Sequence, residues 1–170
     1  DAMMDRIGLD LLLKEAAAPF VDARDRPAVI FEVKGVPGEE PPVLRRRPEI
    51  IYGLRNIIEN AIAYGRSKVL VSADWTGDEI EIEVHDDGRG FSPDILGRLG
   101  EPYLGRGRAR GGAARSGGLG LGFFIAKTLL ERTGADVAFD NRPWAQAGGQ
   151  AGEAGAWVAV RWPRIAVEAR

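Results

Sequence analysis

Three short blocks, residues 56–64, 86–91 and 117–122, recur along this chain with different local demands, and their order constrains the fold more than any bulk property. The first lies in a stretch, about Pro48 to Tyr64, whose apolar residues Ile50, Leu54, Ile57, Ile58, Ala61 and Ile62 follow helical spacing. The second ends a pair of alternating segments, Ser67 to Trp75 and Glu79 to His85, around the turn Thr76-Gly77-Asp78. This is a β-hairpin. The third is a glycine turn opening an apolar helix that runs to about Arg132 and ends by Gly134. Helix, hairpin and second helix must therefore meet.

The rest of the chain supplies flanking elements. Residues 5–18 carry Ile7, Leu11, Leu12 and Ala16 to Ala18 near helical spacing, and Pro19 is expected to end that helix. Ala28 to Val33 reads as a strand closed by the Gly35 to Pro42 cluster. Arg45-Arg46-Arg47 reads as the solvated start of the next helix rather than a polyanion site. Pro93 to Leu99 reads as a short helix, and Ala135 to Asp140 and Ala156 to Trp162 as closing strands joined by a Gly/Ala/Gln-rich loop.

With 170 residues, 45% hydrophobic and 28% charged, the chain suits one domain with its own core. A net charge of −2 provides no basic field, so nucleic acid is not an expected partner. Without cysteine a thiolate metal site is excluded, and with one histidine a His-based zinc site is not expected. The most apolar stretch, Leu119 to Ala126, is far short of the roughly 20 residues of a membrane span. No signal-peptide pattern opens the sequence, so a soluble, cytoplasmic domain without direct membrane contact is expected.

The blocks carry complementary chemistry. Asn56 and Asn60 stand four residues apart, on one helix face. As isolated residues they read first as a solvent-facing polar pair. Beside the other blocks they read as hard oxygen ligands for Mg²⁺, with nucleotide phosphates supplying the negative charge. Asp86-Asp87-Gly88-Arg89-Gly90 stands at a strand end, where Asp86 can accept a hydrogen bond from the exocyclic amine of adenine. Guanine presents a carbonyl to the same carboxylate, acceptor against acceptor, so ATP is selected over GTP. Gly88 and Gly90 are read as letting backbone approach the ring. Gly118, Gly120 and Gly122, with Leu119 and Leu121 between them, place backbone N–H groups at a helix start, where anions bind. Residue 123 is phenylalanine where the dinucleotide fingerprint needs glycine, and Ala126 precedes Lys127 where the P-loop needs glycine. Leu104 to Gly118 is nearly all Gly, Ala, Arg and Ser. It reads as a lid whose Arg106, Arg108, Arg110 and Arg115 meet triphosphate, against the alternative of an interdomain linker. His85, at the end of its strand, reads as structural.

These blocks resemble the N, G1, F and G2 boxes of the ATP-binding catalytic domain of sensor histidine kinases, within the wider gyrase, Hsp90 and mismatch-repair ATPase group. The resemblance spans about Glu49 to Ala135, and Leu99 to Tyr103 with Phe124 to Arg132 looks most like the RegB/PrrB/ActS redox-responsive kinases. It implies an α+β, two-layer Bergerat-type sandwich: a mixed, mostly antiparallel sheet of about five strands on about three helices, with a flexible lid at 101–118. It also implies that Asn56 and Asn60 serve Mg²⁺ and phosphate, that Tyr64 packs on adenine and that Asp86 binds its amine. Gly88, Gly90, Gly118, Gly120 and Gly122 shape the pocket, with Leu119, Leu121, Tyr103, Arg106, Arg108 and Arg115 among the nucleotide contacts. Hydrolytic relatives place a water-activating glutamate where this chain has Asn56, and a neutral amide cannot be that base. Many histidine kinases have lysine where this chain has Ala63, so another cation must serve the phosphates. His85 is in a strand, not in an exposed helical phosphoacceptor motif. The implied partners are a dimerisation and phosphoacceptor histidine domain, with residues 1–20 leading from it, and indirectly a response regulator. The isolated domain is expected to be monomeric and the full-length protein membrane-anchored. A nucleotide-sensing module without transfer activity and a gyrase-type ATPase are the alternatives.

Overall fold

The computed structural model describes residues 4–22, 26–99, 119–144 and 154–170. Its elements in chain order are β1 (Arg6–Gly8), α1 (Leu9–Val21), β2 (Ala28–Val33), β3 (Val43–Arg45), α2 (Pro48–Tyr64), β4 (Lys68–Trp75), β5 (Glu79–Asp86), α3 (Pro93–Leu99), α4 (Leu119–Glu131), β6 (Asp136–Pro143), β7 (Ala154–Pro163) and α5 (Arg164–Val167). Five strands form one sheet in the order β2-β4-β5-β7-β6. Only β2 and β4 run parallel; the other pairings are antiparallel. Helices α1, α2 and α4 cover one face, with α2 packed between the other two. This is the two-layer α+β sandwich that the resemblance implies.

Strand alternation fixes which residues meet the helices. Ile80, Ile82, Val84 and Asp86 of β5 lie opposite Trp162, Val160, Val158 and Ala156, the first three in register and all on the helix-covered face. The α2 stripe from Ile50 to Ile62 buries against them and against Phe123, Ala126 and Leu130 of α4. Trp162 is 0% exposed, and its indole N–H donates to Thr133 Oγ1 at 2.8 Å, which satisfies the polar tip of the largest fully buried side chain.

Three expectations for the N-terminal third are corrected. The first helix begins at Leu9 rather than residue 5, because Arg6–Gly8 pair with Val43–Arg45 as a two-stranded ladder. It also continues through Pro19 to Val21. Proline cannot donate to the carbonyl four residues back, that of Glu15. The Arg55 guanidinium fills the vacancy from α2, donating to Glu15 O at 3.2 Å and Ala16 O at 3.4 Å, while Phe20 is buried beyond the proline. The arginine triplet is likewise not simply a helix start. Arg45 donates to the carbonyls of Ala166 and Glu168, Arg46 pairs with Glu15 at 2.6 Å, and only Arg47 caps α2.

Candidate functional site

A cavity of about 530 Å³ opens between the C-terminal half of α2, the ends of β5 and β7, the loop after β5 and the first turns of α4. Its floor is apolar, from Ile57, Ala61, Val84, Phe123 and Val158, and its polar groups are few: Asn60, Tyr64, Arg66, Asp86, Arg89 and Ser92. Such a balance of apolar wall and sparse polar handles suits a flat heteroaromatic ring.

Asp86 anchors one end. It is 1% exposed at the last position of β5, on the helix-covered face. Its Oδ1 accepts from the Gly88 N–H at 2.8 Å, and the Ala156 backbone N–H also donates to it. Burial pushes its carboxyl up to about 6, against the opposing pull of those two hydrogen bonds. A buried carboxylate at a cavity end, tuned by its surroundings, is poised to pair with a donor from a ligand.

Asp87, its neighbour in sequence, has the opposite environment. Its carboxylate accepts from the backbone N–H groups of Arg66, Ser67 and Lys68 at 2.9, 2.9 and 3.0 Å and from Ser67 Oγ at 2.6 Å. Although partial burial works the other way, those donors hold its carboxyl below the usual range. Asp87 therefore clamps the α2–β4 junction rather than facing a ligand.

The glycines are required by the chain itself. At Gly88 the place of a Cβ is taken by the Tyr64 carbonyl, so the loop abuts the end of α2. Gly90 has φ +81°, and its missing Cβ would meet Ala154 O and Asn141 Oδ1 at 2.6 Å each. Packing of the chain against itself is thus enough to require glycine at both positions.

Asn60 lines the cavity; Asn56, one turn earlier on α2, is half-buried and does not line it. Tyr64 stands at the mouth, 39% exposed. Leu119 and Gly120 belong to the first turn of α4, Leu121 is exposed, and the space beside Gly122 is open. Tyr103, Arg106, Arg108, Arg110, Arg115 and Gly118 lie outside the described residues, as does the rest of the expected lid. Among the described residues no three His, Cys, Asp or Glu side chains cluster; the neutral oxygen donors available on this face of α2 are the amides of Asn60, at the cavity, and Asn56, one turn earlier. That donor set fits Mg²⁺, which takes few protein ligands when phosphates complete its shell.

His85 lies on the other face of the sheet, its Nε2 3.0 Å from Arg142 O and its ring tilted against Trp144. Burial lowers its pKa. Sequence reasoning missed Asp87 as a clamp and missed Asn141, which bonds both backbone groups of Phe91. The signal for Asn141 was present: Val137, Phe139 and Asn141 alternate onto the core face.

Fold and cavity together define a class. The chain belongs to the histidine kinase-, DNA gyrase B- and HSP90-like ATPase family, whose family model matches residues 47–165. Within it, the chain is similar to the sensor histidine kinase RegB of Cereibacter sphaeroides, at 44% identity over 170 aligned residues covering 96% of this chain and 36% of RegB. It is also similar to CpxA of Escherichia coli K12, 34% identical over 90 residues, or 53% of this chain and 19% of CpxA. The chain thus spans about a third of the length of the RegB relatives it matches. The fold matches the mycobacterial sensor histidine kinase MprB with TM-score 0.64 and 17% identity, covering 93% of this chain and 95% of that one. It matches the catalytic domain of histidine kinase ThkA with TM-score 0.62 and 16% identity, covering 93% and 94%.

Proposed function

We propose that this chain binds Mg-ATP and passes the γ-phosphoryl group to a histidine on a separate dimerisation and phosphoacceptor domain, as the catalytic part of a two-component sensor kinase. The observation that carries this reading is the buried Asp86 at the last position of β5, at the end of an apolar cavity. Its ionised carboxylate accepts from the adenine amine, while Gly88 and Ala156 fix its orientation. Ile57, Ala61, Val84 and Val158 sandwich the base and exclude water, and Tyr64 covers its open side.

Asn60 orients the phosphate end, and Asn56 extends the same amide face of α2. The metal, when bound, supplies charge neutralisation of the phosphates. Arg66 and Arg89 at the cavity rim add positive charge, as do the arginines of 106–115 in the proposed lid role. No residue here needs to take a proton from the incoming imidazole nitrogen, which is itself the nucleophile. Asn56, in place of a glutamate base, disfavours attack by water and therefore the gyrase-type alternative.

The phosphoacceptor domain, its link through residues 1–20, the response regulator beyond it, a redox signal and a membrane-anchored whole protein all belong to this proposal, which the similarity to a sensor histidine kinase supports. No helix among the described residues is long and apolar enough to cross a membrane. The test supplies γ-labelled ATP, Mg²⁺ and a phosphoacceptor domain of a RegB-type kinase. Acid-labile label on the histidine of that domain is the expected result. ATP binding with no transfer to that domain would leave a nucleotide-sensing module instead, and steady phosphate release by the chain alone would return the ATPase reading.

A further inference from the structure

Asn141 occupies a core-facing position of the edge strand β6, where its alternating neighbours are Val137 and Phe139. An amide there must be desolvated, and an apolar residue would pack without that cost. Both ends of the amide are nevertheless paired. Its Oδ1 accepts from the Phe91 N–H at 2.6 Å, and its Nδ2 donates to the Phe91 carbonyl at 2.8 Å. One side chain thereby makes both hydrogen bonds that a neighbouring strand would make, at a point where the chain has left β5 and has no strand partner.

The consequences reach the cavity wall. Gly90 adopts φ +81° with Asn141 Oδ1 against the place of its missing Cβ. Phe91 is held so that its ring meets Phe123 of α4 and Phe139 of β6 edge-on, with centroids 6.0 and 6.4 Å away. Gly90, Phe91 and Phe123 all line the cavity, and Ala156, which bonds Asp86, is the residue paired with Asn141 across β6 and β7. The loop on one side of the cavity and the start of α4 on the other are therefore referenced to the same amide.

We infer that Asn141 is a positioning residue for the base end of the cavity: through Phe91 it sets the spacing between the 88–91 loop and α4, and so the width of the slot that takes adenine. This rests on the adenine-nucleotide reading above. It assigns a role in binding, not in transfer, to a residue that touches no reacting atom.

The discriminating variant is Asn141→Asp. The shape is unchanged and Oδ1 still accepts from Phe91 N–H, but at pH 7.5 the second oxygen is ionised and faces the Phe91 carbonyl as acceptor against acceptor. A packing role would leave this variant intact. ADP affinity, measured by calorimetry on chains shown to be folded by circular dichroism, is expected to fall about tenfold in Asn141→Asp and in Asn141→Ala, the scale of one or two lost hydrogen bonds. Asn141→Ser keeps a donor and an acceptor on a shorter arm and should lose less. If Asn141→Ala does not fold, the Asp and Ser variants carry the same comparison. In the transfer assay, KM for ATP should rise with kcat within about twofold. Unaltered ADP affinity in Asn141→Asp overturns the inference, as does a loss confined to kcat. If the unaltered chain binds no ADP, the adenine-nucleotide reading fails first and this inference with it.

Discussion

At the base end of the cavity the polar groups are tied into the sheet. Asp86 is buried and held by Gly88 and Ala156, and Phe91 is held by Asn141. At the α2 end the polar groups are more open: Asn60 is half-buried, and Arg66 is exposed. A rigid, desolvated end discriminates, because a ligand that fails to pair leaves a buried group unsatisfied. An open end tolerates charge and water, as a triphosphate and its metal require. The same division separates the two adjacent carboxylates. Asp86 is raised by burial and lines the cavity, whereas Asp87 is lowered by four protein donors and holds the scaffold.

The largest separation of the two ends is expected from pH. The Asp86 carboxyl lies near 3.8 in an unfolded chain and at about 6 in the fold, so the folded chain holds that proton more tightly. Its contribution to stability is fully present below 3.8 and is lost as pH rises through about 6. On the proposed reading adenine binding needs the ionised form and moves the other way. Titrations of adenosine, which lacks phosphates, should show affinity falling by up to about tenfold for each unit below pH 6. A flat profile would detach Asp86 from the base.

A smaller effect should appear at the open end. Asn60→Ala is expected to weaken ATP binding about tenfold in Mg²⁺ and hardly at all in chelator, and to leave adenosine binding unchanged. Equal losses for adenosine and ATP would mean that the two ends are not separate. The smallest effect concerns the clamp. Asp87→Ala leaves three backbone N–H groups without their acceptor, and urea denaturation should show a loss of about 1–2 kcal/mol at neutral pH. That contribution belongs to the ionised carboxylate, so it is present above the ordinary value of 3.8 and fades as pH falls through the lowered folded value.

The comparison also explains what the sequence disclosed. Helix α2 and the β4–β5 hairpin were legible because their apolar periods are long and unbroken, and their observed ends fall within a residue or two of those expected. The pairing of Arg6–Gly8 with Val43–Arg45 and the short α5 were not, since three or four residues carry no period and the ladder joins distant parts of the chain. Pro19 misled because the compensating donor, Arg55, comes from another helix. At the site, Asp86 and Asn60 stood out as polar residues at a strand end and in an apolar stripe. Asn141 did not, because its strand reads from the sequence as ending at Asp140, three residues short of Pro143, where it ends in the fold.

The most direct test of the account is Asp86→Asn, read by two quantities on one sample. The substitution removes the buried charge yet keeps an acceptor for the Gly88 N–H, so thermal unfolding of the unliganded chain at pH 7 should occur at the same or a higher temperature. ADP affinity should fall about 100-fold, because the amide no longer offers the adenine amine a carboxylate. Loss of binding with an intact fold is the result the account expects; ADP affinity unchanged in a folded Asp86→Asn chain would contradict it.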